Sequence, residues 1–135
     1  MKIRGIVQEG EGDASFWLGK YSDAYRLWTG MTLVPGSLNV RLAAKFDWDD
    51  AGVEPFKKTY SLTPYGGNRD ICLIPCEVYN EGEDKIYGFA WATTNAANDS
   101  DYRVLEIITS VRLREVLQLN NGSVVTIDIP VPWRV

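Results

Sequence analysis

Short strand-like segments, separated by turn signals, run along almost the whole chain and limit the fold more than any other feature. They alternate apolar and polar residues or form short apolar runs, as β-strands do. The segments are residues 2–8, 34–42, 55–62, 71–79, 85–93, 103–109 and 123–129. Two short helices are predicted, and no strong strand–helix–strand crossover is present. The pattern favours a mainly β protein, folded as a small closed barrel with short helices, over a doubly wound α/β sheet.

The first predicted helix has an aromatic face. Tyr21, Ala24, Tyr25 and Trp28 follow the spacing i, i+3, i+4 and i+7, and Gly30 ends the helix. Such a face is more typical of a core than of a binding platform.

The second predicted helix covers residues 112–117, with Ser110 as a candidate cap. The two helical regions form a weak internal repeat at an offset of 86 residues. The matching residues are Arg26, Leu27, Leu33, Gly36 and Ser37 in the first region and Arg112, Leu113, Leu119, Gly122 and Ser123 in the second. Each half would be a short helix, a Gly-Ser turn and a strand, which suggests a duplicated unit.

The length and the net charge of the chain limit the classes of protein to which it can belong. A chain of 135 residues is long enough for one domain, so we expect a single barrel over residues 1–135. The net charge of -4 argues against binders of nucleic acid or acidic membranes, which rely on clustered Lys and Arg. No apolar run at either end suits a signal peptide or a membrane span. We expect a cytoplasmic protein, taken as a monomer, with a small-molecule partner and neither nucleic acid nor membrane.

The chain has no histidine, so proton transfer must depend on Asp, Glu, Lys, Tyr or Cys. Cys72 and Cys76 lie on one face of a predicted strand. Two cysteines cannot make a closed zinc site alone, and thiols in an apolar strand usually pack in the core.

A polar strand face follows the Pro35-Gly36 turn. Side chains alternate along a strand, so Ser37, Asn39 and Arg41 share one face and the apolar residues between them share the other. A hydroxyl, an amide oxygen and a guanidinium beside a tight turn suit a magnesium-bound phosphate. The alternative is an ordinary amphipathic strand that leaves a proline turn.

Three other segments could carry function. Residues 9–15 form a glycine-bearing polar loop, which could surround phosphates or simply be exposed. Residues 94–102 are small and polar, which suits either a mobile loop over a site or a plain surface loop. Glu106 lies between apolar Val104 and Ile108 on one strand face, so it is either at a sheet edge or held for a function.

Three stretches together resemble the archaeal CTP-dependent riboflavin kinases. They are Gly10-Glu11-Gly12 before the aromatic helix, Pro35-Gly36-Ser37-Leu38-Asn39, and Leu105-Glu106-Ile107-Ile108 before Arg112-Leu113-Arg114-Glu115. The resemblance extends from about residue 3 to residue 129. It implies a closed six-stranded cradle-loop (RIFT-type) barrel that transfers the γ-phosphate of CTP to riboflavin and yields FMN and CDP.

The resemblance also implies roles for single residues. The residues that would contact the nucleotide are Gly10, Glu11, Gly12 and Asp13 on one side and Arg112, Leu113, Arg114 and Glu115 on the other. Ser37 and Asn39 would hold Mg²⁺ between the phosphates. Glu106 would orient or deprotonate the ribityl hydroxyl of the flavin, and Thr94 is the nearest candidate for a flavin-site threonine. Phosphoryl transfer requires chiefly positioning and charge neutralisation, so this set suffices without histidine.

The chain departs from the family pattern in places. Ser37 replaces a commoner threonine, Asp13 stands where a basic residue often follows the glycine loop, and the segment before Arg103 is longer. Two alternatives stay open: a related nucleotide-dependent kinase with another small-molecule acceptor, and a noncatalytic barrel that binds a nucleotide or flavin. A DNA-binding barrel would need a basic face, against which the acidic balance argues.

Overall fold

The computed structural model describes residues 1–10, 13–82 and 84–134. Within them the elements are β1 (Lys2–Gln8), α1 (Asp13–Lys20), α2 (Ser22–Thr29), β2 (Leu38–Arg41), β3 (Lys58–Ser61), β4 (Asp70–Tyr79), β5 (Ile86–Thr93), α3 (Thr94–Asn98), β6 (Val104–Ile108), α4 (Leu113–Val116) and β7 (Val124–Asp128). In this part of the chain, no helix has the length and apolar character needed to cross a membrane.

The strands pair antiparallel in one sheet with the order β3-β4-β5-β6-β2-β1-β7. The long strand β4 pairs with β3 near its start and with β7 near its end. The second pairing closes the sheet, so six strands form a barrel and β3 extends one side of it. The prediction of a mainly β, closed six-stranded barrel with short helices is confirmed.

Two apolar layers lie on opposite faces of the barrel wall. The inner layer fills the barrel and includes Val40, Ile74, Leu105 and Ile127, all buried. In the outer layer, α1 and α2 pack against β4, β5 and the end of β6. Because apolar groups cover both of their faces, β4 and β5 are buried along nearly their whole length.

Several local predictions are confirmed. The four residues of the aromatic helical face are all buried in the outer layer, and Gly30 ends α2 in the left-handed conformation. Cys72 and Cys76 are buried free thiols of the inner layer. Burial raises the pKa of both thiols above the ordinary value, so they remain protonated packing groups at neutral pH.

Two helices lie where the sequence predicted loops. The predicted loop over residues 9–15 changes to helix α1 at Asp13, and the predicted loop over residues 94–102 begins with α3. The apolar residues of α1 do not repeat on one buried face: Phe16 and Trp17 are 60% and 42% exposed, whereas Leu18 is buried. Helix α3 has five residues and is fixed by a cap, since the Ala96 N–H donates to the Thr93 hydroxyl.

Two further predictions need correction. Ser110 does not cap α4, whose N-cap residue is Arg112. The strand predicted over residues 55–62 begins only at Lys58, because Pro55 lies in a 3-10 turn over Glu54–Phe56. Proline fixes its own φ and has no N–H for a strand partner, so this turn is a natural start for β3.

Candidate active site

Four side chains form a row across the outer face of the barrel, one from each of four neighbouring strands. The pairing register aligns Gln8 with Asn39, Asn39 with Glu106, and Glu106 with Trp91. Directly opposed residues of an antiparallel pair point to the same face of the sheet. Because Trp91 belongs to the outer apolar layer, the row lies on that outer face. Trp91 forms the aromatic end of the row, and the other three side chains are polar.

Two hydroxyl groups hold the half-buried Glu106 carboxylate. Ser37 Oγ donates a hydrogen bond to Oε1 at 3.0 Å, and the Tyr102 hydroxyl donates to Oε2 at 3.1 Å. Ser37 directly follows Gly36, whose φ of 125° favours glycine. The Pro35-Gly36 turn before the predicted polar strand face thus positions a donor to the carboxylate. The two hydrogen bonds together fix the orientation of the carboxylate.

The Glu106 carboxylate lines a cavity of about 590 Å³, which we call the polar cavity. The sequence-predicted site residues that line it are Gly10, Asp13, Ser37, Asn39, Glu106 and Arg114. The fold therefore brings together residues that are up to about a hundred positions apart in the chain. Glu11 and Gly12 lie outside the described residues.

Gly10 contacts the side chain of Asn39. A Cβ atom at position 10 would overlap the Asn39 amide. The Asn39 amide nitrogen itself donates to the backbone carbonyl of Ser37, at 3.5 Å. Glycine is therefore required at position 10 so that the chain can approach Asn39 without displacing it.

Arg114 joins the two sides of the polar cavity. Its guanidinium donates to the Gln8 carbonyl at 3.1 Å and to Asn121 Oδ1 at 2.8 Å. Arg112, Leu113, Arg114 and Glu115 also line a smaller cavity of about 230 Å³ against the residues 34–38 turn. We call it the turn cavity. It shares Gly36, Ser37 and Arg114 with the polar cavity, so the two adjoin at the Pro-Gly turn.

The first turn of α1 forms another wall of the polar cavity, through Asp13, Ala14 and Ser15. The first backbone N–H groups of a helix lack intrahelical acceptors, and the helix dipole makes this end positive. Asp13 is an acidic residue in that first turn, where a carboxylate stabilises the helix. The cavity wall thus includes the positive end of a helix together with a negative side chain.

A family model supplies the deciding comparison. The model for the CTP-dependent riboflavin kinase domain, described as Domain of unknown function DUF120, matches residues 7–129. The chain belongs to the CTP-dependent riboflavin kinase family. The resemblance drawn from the sequence motifs is confirmed.

Relatives named riboflavin kinase match nearly the whole of this chain. A riboflavin kinase of Methanococcus maripaludis strain C7 is 31% identical over 138 residues, which cover 96% of this chain and 100% of the relative. A riboflavin kinase of Methanococcus vannielii is 31% identical over 135 residues, covering 94% of this chain and 96% of the relative. One from Thermofilum pendens is 26% identical over 140 residues, covering 97% of this chain and 60% of that protein.

The donor set suits the Mg²⁺ that membership of this family implies. Ser37 and Asn39 offer hydroxyl and amide oxygens, which are hard ligands. No cluster of three or more His, Cys, Asp or Glu side chains that could hold a metal occurs among residues 1–10, 13–82 and 84–134. Mg²⁺ commonly keeps several waters and takes its other ligands from substrate phosphates, so a sparse protein contribution fits this ion.

The charges of the polar cavity also suit a phosphate-bound cation. Glu9, Asp13 and Glu106 line it together with Arg114. Among the described lining residues, acidic groups therefore outnumber basic ones. A triphosphate would be repelled by these carboxylates unless a divalent cation accompanied it.

Thr94, predicted for the flavin site, is the first residue of α3 and is half-buried. Its neighbours Thr93 and Asn95 line a third cavity, of about 670 Å³. Sequence reasoning missed Tyr102 and Trp91, which line the polar cavity. Tyr102 lay in a segment without periodicity, and Trp91 in a strand whose aromatic residues indicated only core; neither carried a signal that named it as a site residue.

Proposed function

We propose that this protein is a CTP-dependent riboflavin kinase, which transfers the γ-phosphate of CTP to a ribityl hydroxyl of riboflavin and yields FMN and CDP. The observation that carries the proposal is the Glu106 carboxylate. It is oriented by Ser37 and Tyr102 and aligned across the strands with Asn39, on the wall of the polar cavity. An oriented carboxylate beside two hard oxygen ligands is what transfer of a phosphoryl group to an alcohol requires.

Glu106 would receive the hydroxyl of the acceptor. Each carboxylate oxygen has two lone pairs, so Oε1 and Oε2 can accept another hydrogen bond besides those from Ser37 and Tyr102. The carboxylate would align the acceptor oxygen with the phosphorus atom and take up its proton as the new bond forms. Because the chain has no histidine, this carboxylate is the best-placed proton acceptor on the wall.

Ser37 and Asn39 would hold Mg²⁺ against the CTP phosphates. Bound there, the ion would neutralise charge on the phosphate oxygens during transfer. Ser37 has a double role in this arrangement, since its hydroxyl hydrogen is given to Glu106 while its oxygen lone pairs remain as ligands. The backbone N–H groups at the start of α1 would supply further donors to phosphate oxygens.

The nucleoside part of CTP would extend into the turn cavity. This cavity adjoins the polar cavity at Ser37 and Arg114 and is the smallest of the three described above. A small cavity between a turn and the short helix α4 favours a pyrimidine over a bulkier purine. The Arg114 guanidinium, tied to Gln8 and Asn121, would close the nucleotide in from the solvent side.

Incubation with Mg²⁺, riboflavin and each of CTP, ATP, GTP and UTP tests the proposal, with FMN followed by chromatography. We expect FMN with CTP and little with the purine nucleotides. Glu106→Gln keeps the size of the side chain and should lower kcat by about a hundredfold or more. Glu81→Gln, in the exposed turn after β4, is the matched control and should leave kcat unchanged. FMN with none of the four nucleotides would refute the kinase, and full turnover by Glu106→Gln would refute the role given to its carboxylate.

A further inference from the structure

Tyr102 reaches the Glu106 carboxylate from a largely exposed stretch of chain. Residues 94–103 run from the end of β5, through α3, to the start of β6, and we call them the connecting segment. Residues 98–101 within it are exposed. Because the Tyr102 hydroxyl donates to Glu106, the orientation of the carboxylate depends on where this segment lies.

Lys45 binds the connecting segment at the end of α3. Its ammonium group donates to the Ala97 carbonyl at 2.6 Å and to the carbonyl of its neighbour Phe46 at 3.5 Å. The last carbonyl groups of a helix have no intrahelical donor, and lysine side chains near a helix end can supply one. Ala97 is buried and Lys45 is half-buried, so this charge-assisted bond is partly shielded from water.

The stretch of chain that carries Lys45 also binds the other end of the connecting segment. The Leu42 N–H donates to the Arg103 carbonyl at 2.8 Å, and the Arg103 guanidinium donates to the Ala43 carbonyl at 3.1 Å. Leu42 is itself buried in the inner layer. Residues 42–45 therefore hold the connecting segment on both sides of its exposed part.

Two backbone hydrogen bonds connect the end of α3 to Tyr102. The Asp99 N–H donates to the Ala96 carbonyl, and the Tyr102 N–H donates to the Asp99 carbonyl, both at 3.2 Å. These distances are at the long end of the usual range for N–H···O bonds. The position of Tyr102 therefore depends on how firmly the end of α3 is held, and the Lys45 bond holds it there.

We infer that Lys45 is a positioning residue for the transfer reaction, because it fixes the end of α3 so that Tyr102 keeps its hydrogen bond to Glu106. This inference rests on the proposed function, in which Glu106 receives the acceptor hydroxyl. Lys45 is not among the described residues that line the polar cavity, so its effect on the reaction passes through Tyr102. Hydrogen bonds weaken steeply with poor geometry, so a small displacement of the segment would release the carboxylate.

Amide hydrogen exchange tests the structural part of the inference without any substrate. Lys45→Met keeps an apolar side chain of similar length and removes the donor. We expect the Tyr102 amide of this variant to exchange about fivefold faster or more than in the wild type. The amide of Ile74, in the buried part of β4, should exchange at the wild-type rate.

Lys57→Met is the matched control. Lys57 is also half-buried and also makes a hydrogen bond of 2.6 Å. Among the described residues, however, its acceptor is Asp49 and not a group of the connecting segment. This variant should leave exchange at Tyr102 and kcat for FMN formation within about twofold of the wild type.

A double-mutant cycle tests whether Lys45 acts through Tyr102. Alone, Lys45→Met should lower kcat by about fivefold and leave the KM for CTP within about twofold. In a Tyr102→Phe background it should lower kcat by less than about twofold, because the hydrogen bond on which it acts is already absent. A merely structural role would give the same fivefold loss in both backgrounds.

The outcomes separate this inference from the proposed function. Faster Tyr102 exchange in Lys45→Met, without FMN from any nucleotide, would retain the coupling of Lys45 to Tyr102 and refute the kinase. FMN production with unchanged Tyr102 exchange, or with the full loss of kcat in the Tyr102→Phe background, would retain the kinase and refute the positioning role. Equal acceleration of exchange at Tyr102 and Ile74 would mean a global loss of stability and would also refute that role.

Discussion

Ser37 and Tyr102 both donate to the Glu106 carboxylate, but they differ in their proposed roles. Ser37 is also a proposed Mg²⁺ ligand, whereas the proposed role of Tyr102 is the hydrogen bond to the carboxylate, at 3.1 Å. Tyr102→Phe removes the hydroxyl and keeps the ring. We expect kcat for FMN formation to fall about tenfold, because one oriented hydrogen bond contributes about 1 to 1.5 kcal/mol. The KM for CTP should stay within about twofold, since the nucleotide contacts are unchanged.

Initial rates of FMN formation across pH measure this effect. Tyr65→Phe is the control, because it removes a hydroxyl from another partly exposed tyrosine. A purely structural role for Tyr102 would lower the melting temperature and leave the pH profile of kcat unchanged. A positioning role should alter that profile, since the hydrogen bond acts on the group that takes up the proton. Equal kcat in the two variants would contradict it.

Gly10, before α1, and Gly19, inside it, allow a second test at the scale of single residues. A Cβ atom at Gly10 would overlap the Asn39 amide, whereas one at Gly19 would meet nothing within 4 Å. Gly10→Ala should displace Asn39 and weaken binding of Mg²⁺ with CTP by about tenfold or more. Gly19→Ala, inside α1, should leave binding unchanged and stabilise the protein by up to about 1 kcal/mol.

Calorimetric titration with CTP in the presence of Mg²⁺ measures both affinities, and thermal melting measures both stabilities. If Gly10→Ala bound CTP like the wild type, Asn39 would not be a ligand of the bound metal. If Gly19→Ala weakened CTP binding as well, the loss would belong to α1 as a whole and not to the Asn39 contact.

At the scale of the element, the negative charge of Asp13 in the first turn of α1 has two opposing effects. Asp13 stabilises the helix start but adds a negative charge to the wall of the polar cavity. Asp13→Asn keeps the shape of the side chain. It should lower the KM for CTP by about threefold, because one repulsion with the triphosphate is removed, and should destabilise the helix by up to about 1 kcal/mol.

Asp23→Asn is the control for the helix effect. Asp23 lies in the first turn of α2 and does not line the polar cavity. It should cause a similar small loss in melting temperature with no change in KM. A KM for CTP that rose in Asp13→Asn would mean that this carboxylate assists the bound metal and does not repel the phosphates. Raising the salt concentration should shrink any difference between the variants.

Local sequence patterns predicted the elements where burial follows a simple period. Strands β1, β2 and β6 alternate, and α2 buries one face at i, i+3, i+4 and i+7. Helix α1 was missed because its large residues Phe16 and Trp17 remain exposed. Their exposure removes the periodic burial pattern from which a helix is predicted.

At the scale of the whole molecule, the site depends on distances that no local pattern contains. Trp91, Glu106 and Asn39 become neighbours only through the pairing of β5 with β6 and of β6 with β2. The family motifs named Glu106 and Asn39 one by one. The registers that join them follow from closure of the barrel, which fixes each of its six strands against two neighbours.

One buried tyrosine connects the helical layer to the barrel wall and makes stability depend on pH. The Tyr25 hydroxyl accepts from Trp91, and burial raises the pKa of Tyr25 from its ordinary 10.0 to about 12. The folded protein therefore keeps this proton to a higher pH than the unfolded chain does. Its contribution to the free energy of unfolding is complete below pH 10 and is lost as pH rises toward 12, by up to roughly 3 kcal/mol.

Denaturant unfolding between about pH 9 and pH 12 compares the wild type with Tyr25→Phe. The variant should start about 1 to 2 kcal/mol less stable, because the buried Trp91 N–H loses its acceptor. The other tyrosines and the lysines titrate in both proteins, so their effects cancel in the difference. The two stability curves should approach each other as pH rises, since only the wild type must keep Tyr25 protonated to stay folded. Curves that remain parallel would assign the alkaline loss of stability to other groups and leave Tyr25 as a packing residue.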